Sequence, residues 1–137
     1  MDGEQVFADT SGFLALMDKD DAHHPAAMRE WKIFAESQTV LWTSDYVRLE
    51  SCSLVQRRLG AGALVDFHDS VLPVASITFV GEDGFERAFA QWRIAQLRHL
   101  SIVDLTSFDC MHRRGIARAF SFDRHFRDQG FATSTSL

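Results

Sequence analysis

Four carboxylates stand where a chain rarely leaves an acid without a purpose, at Asp9, Glu50, Asp104 and Asp123. Asp9 ends the extended run QVFA at 5–8, and Asp123 ends AFSF at 119–122. An Asx turn or a helix N-cap accounts for either acid as well as a functional site does. Asp104 completes Ser101-Ile102-Val103-Asp104, an S-x-x-D capping pattern. A helix N-terminus also favours a functional anion, and Ser107 follows one turn later on the same face. Glu50 is different, because Val47, Glu50, Ser51, Leu54 and Val55 share helical spacing and lay it on or beside an apolar stripe. A carboxylate facing inward costs several kcal/mol unless it is paired, here with Arg57 or another cation, or bound to a metal. If the four converge they repel, by roughly 4 kcal/mol for two charges about 4 Å apart at an effective dielectric near 20. Such a cluster takes up protons or holds a cation. With no Cys or His ligand evident nearby, an oxygen-only set suits Mg²⁺ or Mn²⁺.

Other chemistries lack their signatures. The six histidines show no zinc spacing, and there is no HExxH, Walker loop, GxGxxG or GxSxG. Cys52 and Cys110 form no CxxC pair and read as reduced residues of helices. The net charge of −5 shows no global basic surface for nucleic acid, although twelve of the fourteen basic residues are arginine, the better bidentate phosphate ligand. The twelve phenylalanines read mainly as core. No apolar run approaches the roughly 20 residues of a membrane span, and the N-terminus has no signal pattern, so a cytoplasmic protein is expected.

The elements that must position these acids alternate along the chain. Extended runs are expected at 5–8, 39–42, 75–80 and 119–122, and helices at 13–17, 25–37, from Ser44 to 59, 62–72, from an Asp83 cap to 97, and from a Ser101 cap to 114, with a last turn after Asp123. Pro25 suits a first turn, Gly60 and Gly115 suit helix stops, and Pro73 ends the fourth helix. Strands alternating with helices imply βαβ units, hence one three-layer α/β/α domain spanning 1–137 with a short, mostly parallel sheet of four or five strands. Residues 132–137 are small and polar and are expected to fray. Ligands of open α/β sheets sit beyond the carboxyl ends of the strands, where Asp9 and Asp123 fall.

Taken in order, four short pieces resemble the PIN-domain family, specifically the VapC-type toxins of bacterial toxin–antitoxin pairs. They are VFADTSGFLAL at 6–16, TSDYVRLE at 43–50, LSIVDLTS at 100–107, and FDRHF at 122–126 followed by Gly130-Phe131. The resemblance implies a Mg²⁺- or Mn²⁺-dependent endoribonuclease in which Asp9, Glu50, Asp104 and Asp123 form the acidic site and Thr10, Ser11 and Ser107 support it. It also implies an RNA substrate, a cognate antitoxin and a homodimer. Arg124 and Arg98 are candidates for holding RNA phosphate. Two departures stand out: Asp109 replaces a small apolar residue and should point away from the site, and Leu105 replaces a frequent cysteine. Neither removes a ligand. The alternatives are a housekeeping RNA-processing nuclease and a PIN-fold interaction module without activity. A phosphatase with Asp9 as nucleophile usually needs a second aspartate two residues on, where this chain has Ser11.

Overall fold

In the computed structural model, residues 3–96 and 99–135 are described. Four strands, β1 (Gln5–Ala8), β2 (Val40–Ser44), β3 (Ala75–Thr78) and β4 (Arg118–Phe120), form one sheet in the order β3-β2-β1-β4, every pair parallel. Parallel pairing requires crossovers. α1 (Thr10–Met17) and α2 (His24–Glu36) join β1 to β2, while α3 (Asp45–Leu59) and α4 (Ala61–Asp66) lead towards β3. α5 (Gly81–Ala95) and α6 (Ile102–Arg114) carry the chain back past β1 to β4, and α7 (Arg124–Asp128) follows it. The strand order reverses at β1, so right-handed crossovers put the early helices on one face and α5 and α6 on the other. The crevice where the order reverses, between β1 and β4 at their carboxyl ends, is where such sheets bind ligands.

The central strand β1 is apolar on both faces, with Val6, Phe7 and Ala8 fully buried, as expected of a strand covered by helices on both sides. Phe13, Phe67, Phe108, Phe120 and Phe126 complete an aromatic core. Its rings meet edge to face, as between Phe108 and Phe126 with centroids 4.8 Å apart.

Several boundaries differ from the sequence reading. The expected helix 62–72 is three pieces: α4, a π-helical turn Phe67–Val71 and a 3-10 turn Leu72–Val74. Pro73 cannot donate a backbone hydrogen bond, so regular helix ends before it. β3 stops at Thr78 and α5 begins at Gly81, so Asp83 lies within the first turn and is not the cap. β4 begins one residue early, at Arg118, and stops at Phe120. The chain at Ala132 is not frayed. Ala132 bridges Arg118, the Ser134 amide donates to the Ser121 carbonyl at 3.1 Å, and the Ser134 hydroxyl donates to Glu30 Oε1 at 3.0 Å. This stretch shields the outer edge of β4, which its small polar composition did not disclose.

Candidate metal centre

The register of β1 against β4 builds the site. Ala8 pairs with Phe120, and the Asp9 amide donates to the Phe120 carbonyl at 3.1 Å. Ser121 is thereby fixed beside Asp9. Asp9 is also the N-cap of α1, and its Oδ2 receives three donors: the Ser11 amide at 3.3 Å, the Ser11 hydroxyl at 2.8 Å and the Ser121 hydroxyl at 3.1 Å. The two hydroxyls are oriented in turn by backbone amides, Phe122 N–H to Ser11 Oγ at 2.9 Å and Asp123 N–H to Ser121 Oγ at 3.1 Å. Oδ1 receives none of these donors and keeps its lone pairs. The cap and site readings of Asp9 are therefore compatible, one oxygen serving each.

Asp104 is held the same way. It forms a full capping box with Ser101, whose hydroxyl accepts from the Asp104 amide at 3.0 Å while Asp104 Oδ2 accepts from the Ser101 amide at 3.4 Å. Asp123 caps α7, its Oδ1 accepting from the His125 amide at 2.9 Å. Asp9 and Asp104 are both shifted by their surroundings. Burial, opposed by hydrogen bonds from Ser11 and Ser121 and reinforced by the Asp123 charge, raises the Asp9 pKa to about 6. Burial, then the charges of Asp9 and Asp123, raises Asp104 to about 7. Near neutral pH, acids held so far above their ordinary range are short of a positive charge.

Glu50 comes in from α3. Its Oε1 accepts from the Thr10 hydroxyl at 2.8 Å, and Thr10 accepts from buried Ser51 at 3.2 Å. Thr10 directly follows Asp9, so this relay ties the helical glutamate to the strand-end aspartate; Glu50 is not bonded to Arg57. Ser107 is fully buried one turn beyond Asp104, and its hydroxyl has no hydrogen-bond partner. Asp109 points elsewhere, gripped by Arg87 Nε and Nη2 at 2.9 and 3.2 Å. Arg124 is exposed at the start of α7, and Arg98 lies outside the described residues.

Two residues at the site were not singled out in the sequence. Ser121 left no local signal, because its bond to Asp9 spans 112 positions and depends on strand register. His125 brings a nitrogen beside a cluster expected to hold oxygens alone. Nδ1 lies 2.8 Å from Asp123 Oδ1 and 3.9 Å from Asp104 Oδ2, and ligand atoms of Asp104, Asp123 and His125 all fall within 4.8 Å of one another. The available signal was D-x-H at a helix start: a residue two after an N-cap offers its amide to the cap, which draws its ring alongside.

These residues fit a hard divalent cation. Buried carboxylates with raised pKa values, several oxygens left for a ligand and a fixed backbone frame are what Mg²⁺ or Mn²⁺ requires. Asp9, Asp104 and Asp123 would hold it, with Glu50 alongside.

A parallel sheet reversing at β1, with acids gathered at that reversal, defines a small α/β/α protein of the acidic-cleft type. The chain belongs to the PIN-domain family, whose model matches residues 6–132. The chain is 37% identical, over 128 residues, to the 23S rRNA-specific endonuclease VapC20 of Mycobacterium tuberculosis, a match covering 92% of this chain and 95% of the relative. The crystal structure of that VapC20, described as a sarcin–ricin loop cleaving toxin, superposes with a TM-score of 0.82 at 34% identity over 93% of this chain and 96% of that one. The crystal structure of FitAcB from Neisseria gonorrhoeae shares the fold alone, with a TM-score of 0.69 at 11% identity over 96% of this chain and 97% of that one. The VapC-type reading of the four sequence pieces is thus borne out, as is the three-layer α/β fold with its parallel sheet. The VapC20 relatives are nucleases by name, in agreement with the enzyme expected.

Proposed function

We propose that this chain is a metal-dependent endoribonuclease that acts as the toxin of a toxin–antitoxin pair, with RNA of the large ribosomal subunit as its substrate. The observation that carries the reading is the convergence of Asp9, Asp104 and Asp123, two of them with pKa values raised to about 6 and about 7. The similarity to a 23S rRNA-specific endonuclease supports the substrate.

When bound, a divalent cation at such a site supplies Lewis-acid polarisation of the phosphodiester and makes water a stronger nucleophile. The chain's own residues do the positioning. Ser11 and Ser121 hold Asp9 by one oxygen and leave the other for the ion. The capping box fixes Asp104, and the Thr10–Ser51 relay fixes Glu50. Asp123 either shares the ion or accepts a proton from the attacking water. Ser107 supports the acidic site, and Arg124, with Arg98, would meet RNA phosphate. A cognate antitoxin and a homodimer complete the proposal. Among the described residues no helix is long and apolar enough to cross a membrane, consistent with action on ribosomes in the cytoplasm.

Inducing the chain in a bacterial host and sequencing new RNA 5′ ends tests this. Growth arrest with cleavage in the large-subunit rRNA is expected. Soluble protein with unchanged growth and no new rRNA ends would overturn the toxin reading and favour the housekeeping or scaffold alternatives.

A further inference from the structure

We infer that His125 is a nitrogen ligand of the bound metal, making the centre mixed N/O and biasing it towards Mn²⁺ over Mg²⁺; the inference rests on the acidic site proposed above. The geometry of Nδ1 carries it. That nitrogen is buried and has no hydrogen-bond partner, yet it lies 2.8 Å from Asp123 Oδ1. It faces that carboxylate at ion-pair distance, and His125 offers, with one oxygen each of Asp104 and Asp123, a set of three potential ligand atoms within 4.8 Å of one another. No hydrogen bond occupies this nitrogen, so a cation bound there can take it together with both carboxylates.

The spacings suit one ion. Around an octahedral Mg²⁺ or Mn²⁺ with ligands at roughly 2.1 Å, neighbouring ligand atoms are about 3 Å apart and opposite ones about 4.2 Å. Nδ1 stands 2.8 Å from Asp123 and 3.9 Å from Asp104, close to that range. The ring has little freedom to be elsewhere. His125 is the second residue of α7, its amide is bonded to the Asp123 cap, and Phe126 beside it is fully buried against Phe108. The chemistry then sets the preference. Imidazole is a softer donor than carboxylate, and Mg²⁺ takes it poorly, whereas Mn²⁺ accepts both.

The test is pulsed electron paramagnetic resonance of the full chain loaded with substoichiometric Mn²⁺ alone, with histidine at natural abundance and uniformly ¹⁵N-labelled. A directly bound imidazole gives ¹⁴N modulation that converts to the ¹⁵N pattern on labelling, and His125→Asn abolishes it. Titration calorimetry of the same variant should show Mn²⁺ affinity falling about tenfold and Mg²⁺ affinity changing less than threefold. Tightly bound Mn²⁺ without nitrogen modulation, or modulation that survives His125→Asn, overturns the assignment and leaves the acidic site standing. Failure of the parent chain to bind Mn²⁺ at millimolar concentration overturns both readings. Mn²⁺ binding by ¹⁵N-labelled His125→Asn shows that the variant retains the folded site.

Discussion

Asp9 and Asp104 set the pH behaviour of the site. Both have folded-state pKa values raised above 3.8, to about 6 and about 7. Below about pH 3 they are protonated whether the chain is folded or not, and cost nothing. As pH rises, the unfolded chain releases these protons first, so the metal-free fold loses stability until both have ionised near pH 8. Asp104→Asn removes one charge but keeps an acceptor for the Ser101 amide. In EDTA at pH 8 it should melt a few degrees above the parent, and below about pH 3 at the same temperature; calorimetry checks this. Ser121→Ala should weaken Mn²⁺ binding about tenfold in titration calorimetry, because it removes one of the donors that orient Asp9. At this scale the four acids stand out in the sequence, since strand ends, a capping pattern and an apolar stripe are local. It did not disclose Ser121, whose bond to Asp9 depends on how distant segments come together; for His125 the D-x-H spacing was local, and only its nearness to Asp104 depends on the fold.

The N-terminal turns of α1, α6 and α7 each present an aspartate, and α3 presents Glu50, so the site is as accurate as the seating of these helices. α1 is seated closely. A Cβ at Gly12 would lie 2.3 Å from the Phe120 carbonyl oxygen and 2.7 Å from that ring's Cδ2, and a carbonyl of the sheet cannot move aside. Gly12→Ala should therefore lift α1 from β4, lowering stability by about 1–3 kcal/mol in urea unfolding and reducing cleavage more than Ser101→Ala does. The latter loses only a cap, at about 1 kcal/mol. The existence and order of the elements were legible from apolar periodicity, with Ser44 and Ser101 capping as expected. The α4 region was not, because a π turn and a 3-10 turn keep near-helical spacing of apolar residues while changing the hydrogen bonds. Asp83 misled because a good capping residue type also suits a first turn.

For the whole molecule, one sheet order explains why residues as far apart as Asp9 and Asp123 meet: β4 returns beside β1, and the reversal opens a crevice there. The alternation of strands and helices implied that sheet, but not which strands were neighbours. Nor did composition reveal that Ala132 and Ser134 tie the chain to β4, since backbone bonds leave no mark on side-chain type. The fold carries its unbalanced acids as a standing cost that a cation offsets. Adding Mn²⁺ should raise the melting temperature at pH 8 by several degrees and at pH 5 hardly at all, because protons compete for the same oxygens. The net charge of −5 offers RNA no broad positive field, so cleavage should weaken only shallowly with salt, the slope rising by about one for each phosphate contact. The most direct measurement is cleavage of isolated large-subunit rRNA by purified parent and Asp9→Asn proteins, each with Mn²⁺ and with EDTA. Asn accepts the Ser11 and Ser121 hydrogen bonds, so the variant should fold like the parent. Specific cuts by the parent with Mn²⁺ only, and at least a hundredfold less by the variant, are the expected result. Equal cutting by the two proteins, or full activity in EDTA, would contradict a metal-dependent acidic centre.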